Sequence, residues 1–335
     1  MSSSPSEKKS YTIDDIAREL GISKTTVSRA ISGKGRLSAE TRAKVLDFIE
    51  EHNYRPNAVA KSLAQSRTNN IGLILPGDRG TIDFSFFQEC TLGICQVASE
   101  HDYDVLFSMD NEHSTEQMQR IIDNHKVDGI IASRSETGSP IISLLKDQGL
   151  PFVIIGSSSN QDVICVDNNN REACRDLVSL LVARGIRSMV LLGGDERHRV
   201  THSRLQGFRE ACQQAKLPEQ LALLNMTSGV RVASAVEQAI ARRVECIICM
   251  DDFICNLTLL QLRSRGVSVP QDMKLACFYD SPLLEHTVPP VTSLRFDAVE
   301  LGRAACRELL NLLNGQPASS YVLPGYQMLL RDSTK

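Results

Sequence analysis

Tryptophan is absent from this chain and aromatic residues make up only 5% of it, so ring stacking against any ligand falls to phenylalanine or tyrosine. No apolar run approaches the ~20 residues that a bilayer-spanning helix needs, which excludes membrane readings. Residues 1–10 hold no apolar core region and no cleavage signature; we expect a flexible tail there and a cytoplasmic protein. A catalytic reading needs a nucleophile with its base, paired carboxylates, a phosphate loop or a metal set, and none stands out. Gly193-Gly194-Asp195 lacks the Gly-x4-Gly-Lys-Ser/Thr or Gly-x-Gly-x-x-Gly setting of phosphate binding. His198 and His202 share an i, i+4 spacing, but no glutamate completes a His-Glu-x-x-His pattern, and surface histidines near a cleft are the simpler account. We expect no enzyme, no cofactor and no metal.

The ten cysteines do not change this. Only Cys246-Ile-Ile-Cys249 has metal-knuckle or redox spacing, and it lies in an apolar, strand-like run whose alternation sends the two thiols to opposite faces. Reduced, buried thiols are expected.

Charge of one sign is also scarce overall, the net being −3, but its distribution is uneven. Residues 1–70 carry 12 Lys/Arg against 8 Asp/Glu, and the remainder carries 25 against 32. A modestly basic head on an acidic body suits a nucleic-acid reader joined to a sensor.

The head begins with Thr12 and Asp15 at capping-box spacing, followed by Ile13, Ile16, Ala17 and Leu20 on one helical face. Gly21 can stop that helix in the left-handed region, and Ser23 can cap a second helix running to Ile31. Ala17 is small where the helices must cross, and Val27 is the inward wedge of the second. This is helix-turn-helix spacing, and Lys24, Thr25, Thr26, Ser28 and Arg29 give the second helix groups able to reach base edges or phosphates. Thr12 and Ser23 join this DNA-binding set. Ser38 then caps a third helix carrying Val45, Phe48 and Ile49 on one face, and Pro56-Asn57 announces a short helix before a connector at 66–70.

Position by position, the segments from Thr12 to Gly33, Ser38 to Asn57 and Ala60 to Leu63 resemble the headpiece and hinge of LacI/GalR-type regulators, and a looser likeness continues to the C-terminus. The resemblance implies a homodimer on double-stranded DNA with a near-palindromic operator. It also implies a hinge in which Asn57, Ala60 and Leu63 contact DNA, Leu63 as the minor-groove wedge, an apolar tip without a core of its own. Domains are accordingly expected at 11–56 (headpiece), 57–70 (hinge and linker) and 71–335 (effector binding and dimerisation).

From Ile71 onward, short apolar runs alternate with amphipathic stretches. The runs at 71–75, 105–109, 129–132, 152–155, 163–166, 189–192, 246–250 and 275–278 read as strands, with helices at 86–100, 171–183, 205–215 and 257–265 among the intervening stretches. The expected fold is a small all-α helix-turn-helix headpiece plus a periplasmic-binding-protein-like α/β sensor of two doubly wound lobes. The resemblance implies three crossings between lobes, placed near 166, 294 and 322, so that the first lobe takes 71–166 and 295–322 and the second 167–294 and 323–335.

Ligands of such folds bind beyond the carboxyl ends of strands, here between the lobes. Strand-end reasoning offers Asp78, Phe84 to Phe87, Asp110, Ser133, Arg134, Arg204 and the pair Asp251/Asp252, a set suited to a polar metabolite. Asp78, Phe86, Ser133, Arg204 and Asp252 are taken as the effector contacts. By resemblance, Arg204 is the arginine that touches effectors and Asp252 the aspartate that takes ligand hydroxyls. Asp251 stands where asparagine is usual and Tyr279 where an acidic residue is usual.

The expected function is therefore a regulator, acting as a repressor, whose grip on DNA is set by a sugar-like small molecule. A free-standing sugar-binding protein and a regulator controlled by a protein partner remain as alternatives. After a strand-like stretch at 326–331 the chain ends within four residues, which favours a dimer over a coiled-coil tetramer.

Overall fold

The computed structural model describes residues 11–33, 35–54, 67–77, 84–110 and 115–335, which divide into an N-terminal unit and a body beginning at Asn69. In the first unit α1 (Ile13–Glu19), α2 (Lys24–Ser32) and α3 (Ala39–Glu51) form a three-helix core. Thr12 and Asp15 close a full capping box: Asp15 N donates to Thr12 Oγ1 (3.3 Å) and Thr12 N donates to Asp15 Oδ2 (3.0 Å). Gly21 turns the chain at φ +63°, which a side-chain-bearing residue adopts only with strain. Ile16, Val27 and Val45 meet in the centre, each fully buried. Ser23 and Ser38 accept from the third backbone N–H of α2 and α3, as N-caps do.

The body runs β1 (Asn70–Pro76), α4 (Phe84–Glu100), β2 (Asp104–Asp110), α5 (Glu116–Asp123), β3 (Gly129–Ala132), α6 (Pro140–Asp147), β4 (Phe152–Ile155) and β5 (Ile164–Asn168). A second series follows: α7 (Asn170–Ala183), β6 (Met189–Leu192), α8 (Arg199–Gln214), β7 (Leu221–Leu223), α9 (Gly229–Ala241), β8 (Cys246–Cys249), α10 (Asp252–Ser264), β9 (Lys274–Cys277), α11 (Pro282–Glu285) and β10 (Thr292–Arg295). The chain closes with α12 (Ala298–Leu313), β11 (Tyr321–Leu323) and β12 (Gln327–Leu329).

These strands make two six-stranded sheets of the same design, β2-β1-β3-β4-β5-β11 and β7-β6-β8-β9-β10-β12. The first is parallel throughout; in the second only β12 is antiparallel. Each sheet has an apolar core on both faces, so each lobe is a three-layer α/β/α unit. The chain passes between lobes at 168–170, 295–298 and 323–327. No helix among the described residues is long and apolar enough to cross a membrane.

Glycines set the closest helix contact. A Cβ on Gly93 of α4 would lie 2.0 Å from Val299 O of α12, and one on Gly302 of α12 would lie 2.0 Å from Cys90 O. Backbone therefore meets backbone, and α12 is locked onto α4 in the first lobe's core. Cys246 and Cys249 do enter cores on opposite sheet faces, and all ten cysteines are free thiols.

Candidate functional site

The carboxyl ends of strands in both lobes converge on one cavity of about 120 Å³, room for several waters or a small polar molecule in their place. The first lobe supplies Ser133, Arg134 and Ser135 after β3, Gly156 after β4 and Asp167 and Asn168 at the end of β5. The second supplies Gly194 and Asp195 after β6, Met250 and Asp251 after β8 and Tyr279 after β9. Helix starts complete the wall with Phe86 and Phe87 of α4, Asn170 of α7, and Thr201 and Arg204 of α8.

Arg204 is the central cation. Its Nε donates to Asn170 Oδ1 (3.2 Å) and its Nη1 to Met250 O. Asn170 in turn donates from Nδ2 to Asp167 Oδ1 (3.2 Å), which also accepts from Asn168 N (2.8 Å). Burial pushes Asp167 up to about 6, despite the pull of Asn168 N and the Arg204 charge. Asp251 caps α10 by accepting from Ile254 N (2.8 Å), and burial, with the Asp252 charge added, lifts it to about 6 as well. Asp195 behaves oppositely: Arg197 donates to it from Nη2 (2.7 Å) and holds it at about 2.

One rim of the cavity joins the lobes directly. His198 Nε2 lies 3.3 Å from Glu136 Oε1, and the flanking backbones form an antiparallel bridge in which Thr137 N donates to Arg197 O (3.0 Å) and Arg199 N to Ser135 O (3.2 Å). Arg199 Nη2 also reaches Ser159 Oγ at 2.7 Å. Hydrogen bonding to His198 keeps the Glu136 carboxyl below its ordinary range. On the opposite wall Phe86 meets Tyr279 edge to face across the lobes (5.8 Å), and the Arg134 guanidinium lies over Phe87 (5.7 Å).

Several expectations need correction. His198 is not a surface histidine: it is buried at the N-cap of α8 and belongs to the clasp, while His202 is exposed one turn on. Asp252 does not line the cavity; it is buried behind the wall, and Asp251 is the carboxylate that faces in. Ser133 lines the cavity, but its hydroxyl is turned into the sheet, donating to Ile74 O (2.6 Å). Phe86, Phe87, Arg134 and Arg204 stand on the wall. Asp78, and the side chains of Phe84 and Asp110, lie outside the described residues. Asp167, Asn170 and Asp195 also line the cavity without having been expected there, although Asp167 ends β5 and Asp195 follows β6, the same strand-end signal that marks Asp251.

In the N-terminal unit, Lys24, Thr25, Ser28 and Arg29 form the exposed face of α2. Thr26 is half-buried and shares a hydrogen bond with Ser23 (Oγ to Oγ1, 2.8 Å), so these two act first as the helix cap. Thr12 is likewise engaged by Asp15, and Lys24 pairs with Asp14. Asn57, Ala60 and Leu63 lie outside the described residues. Among the described residues no group of His, Cys, Asp and Glu is arranged to hold a metal ion.

Comparison with known proteins places this geometry. Residues 12–57 match the model for bacterial regulatory proteins of the lacI family, and residues 178–334 match that for a periplasmic binding protein-like domain. The chain is 30% identical over 333 residues to the HTH-type transcriptional regulator MalR of Staphylococcus xylosus, covering 96% of this chain and 98% of that one. A solved complex of the transcriptional regulator CelR with cellobiose is similar at TM-score 0.72 and 25% identity, over 96% of this chain and 99% of that one. The Lac repressor dimer, solved bound to operator and an anti-inducer, is similar in fold at TM-score 0.83 and 22% identity, over 97% and 99% of the two chains.

Proposed function

Because the chain belongs to the LacI family of bacterial regulatory proteins and is a DNA-binding transcriptional regulator rather than an enzyme, we propose that it works as a homodimeric repressor whose operator affinity is set by a sugar-like molecule in the cleft. The observation that carries this reading is the cavity itself. Its walls come from both lobes, and Arg204, Asn170 and Asp167 form one hydrogen-bonded line from the second lobe to the first. A ligand that replaces any part of that line changes how the lobes are held, and differential binding to two lobe arrangements is what shifts an equilibrium. The CelR complex supports a carbohydrate as the ligand. Arg204, Phe86 and Asp251 are its proposed contacts, with Ser133 contributing through backbone position.

On the DNA side, Lys24, Thr25, Ser28 and Arg29 are proposed to read the major groove, with Thr12, Ser23 and Thr26 holding the helix at its correct pitch. Asn57, Ala60 and Leu63 are proposed to complete the contact at the hinge. An apolar patch on the first lobe, including Leu75, Phe107 and Met109, supports pairing with a second copy, since Phe107 is 50% exposed and Met109 43%. Two headpieces in successive major grooves require half-sites about 34–36 Å apart.

The test is selection from a random-sequence duplex pool by the full-length protein. Enrichment of a near-palindrome is expected, and Leu63→Ala should weaken binding to it in a gel shift while effector affinity is unchanged. Enrichment of no sequence, or of an asymmetric single site, contradicts the homodimeric reader.

A further inference from the structure

The charges in the cleft do not balance among the described residues, and the imbalance points to a kind of ligand. Of the ionised groups on the wall, Asp195 is matched by Arg197, and Arg134 faces Glu136 at 3.8 Å. Arg204 is left to serve Asp167, Asp251 and the buried Asp252 behind it, and its charge is felt by all three. Yet its own hydrogen bonds go to an amide oxygen and a backbone carbonyl, neither of them a carboxylate. The bonds that Asp167 and Asp251 accept come from neutral groups, Asn168 N, Asn170 Nδ2 and Ile254 N. His198, which with Tyr279 completes the titratable groups on the wall, is turned to Glu136.

A carboxylate out of water without a counter-charge either takes a proton or recruits a cation. Burial lifts Asp167 and Asp251 to about 6, part of the way toward the first response. The aromatic wall of Phe86 and Tyr279 favours the second, because ring faces attract cations and also cover the apolar faces of sugars. A phosphate would add negative charge to the same space, and a neutral sugar would leave the imbalance as it is.

We infer that the effector is an aminated carbohydrate, a sugar whose protonated amine is taken by Asp167 and Asp251 while Arg204 holds a hydroxyl or ring oxygen. This rests on the reading of the cleft as a sugar site and narrows it. Asp251 is the residue that makes the selection: asparagine there would cap α10 equally well and keep the shape while removing the charge.

Isothermal titration of the full-length protein tests this with a panel of hexosamines (glucosamine, galactosamine, mannosamine), each beside its neutral hexose and that hexose's 6-phosphate. At least one amine is expected to bind roughly tenfold or more tighter than its neutral counterpart, with no phosphate binding. Asp251→Asn should remove most of that preference by weakening the amine far more than the neutral sugar. Comparing two buffers near pH 6 should show proton release on amine binding, smaller in Asp251→Asn. Equal or tighter binding of a neutral hexose or a phosphate overturns the inference and leaves the sugar reading standing. Binding of none of the three classes overturns both.

Discussion

Asp167 and Asp251 sit within one cavity with Glu136 at its rim, and the three carboxylates pull stability in opposite directions with pH. Asp167 and Asp251 are raised from 3.8 to about 6, so the folded state binds their protons more tightly than the unfolded chain does. Their contribution is complete below about 3.8 and is lost as pH rises through about 6. Glu136 is lowered from 4.5, so its contribution is present above that value and is lost as pH falls below it. Thermal melts of the ligand-free protein across this range should therefore show Asp251→Asn gaining on the wild type as pH rises from 4 to 6.5. The reverse order, with the variant losing ground toward higher pH, would mean that the Asp251 carboxylate is favourably paired in the empty cleft. Glu136→Gln should remove the acid-side term and loosen the rim; small-angle scattering of the ligand-free variant should then show a more open body, and an unchanged profile would mean that the backbone bridge alone suffices.

At the level of elements, two helices of the second lobe begin earlier than their apolar pattern does. The apolar pattern places one helix from Leu205, but α8 begins at Arg199, and another from Leu257, but α10 begins at Asp252. The missing turn of α8 faces the cleft, where Thr201 and Arg204 replace the apolar periodicity that marks a buried stripe, whereas at α10 only the cap, Asp251, faces it. Strands with two buried faces, such as Met189–Leu192 and Cys246–Cys249, were legible as continuous apolar runs. β7 and β11 were not, because each is a three-residue strand without a buried residue. The headpiece was the most legible part, since Thr12, Gly21, Ser23 and Val27 each have one local physical role and tertiary context changes none of them.

Two predictions belong to this scale. Gly93→Ala sets a methyl against the α12 backbone and should cost about 1–3 kcal/mol, lowering the thermal midpoint of the body by several degrees with headpiece helicity intact. A melt unchanged within a degree would mean that the two helices separate freely. Arg29→Ala, on the exposed face of α2, should weaken binding to the selected operator and reduce the slope of log affinity against log salt by about 1 if the side chain holds a phosphate. A weakened complex with the slope unchanged would assign Arg29 to a base edge instead.

In the whole molecule, the proposed scheme couples a DNA-reading unit and a two-lobed cleft through a dimer. Phe107→Asp on the exposed first-lobe patch should shift sedimentation toward monomer and lower operator affinity by a large factor, although the residue contacts no DNA in this scheme. A dimer that survives the change would move the interface elsewhere. In that scheme, occupancy of the cleft alters the grip on DNA. Fluorescence anisotropy of a labelled operator, titrated with the full-length protein with and without the best-binding sugar, tests it most directly, with Arg204→Met run alongside. The sugar is expected to change wild-type operator affinity by roughly fivefold or more, and Arg204→Met to lose the response to the sugar. Identical operator affinity with the cleft empty and saturated would contradict it.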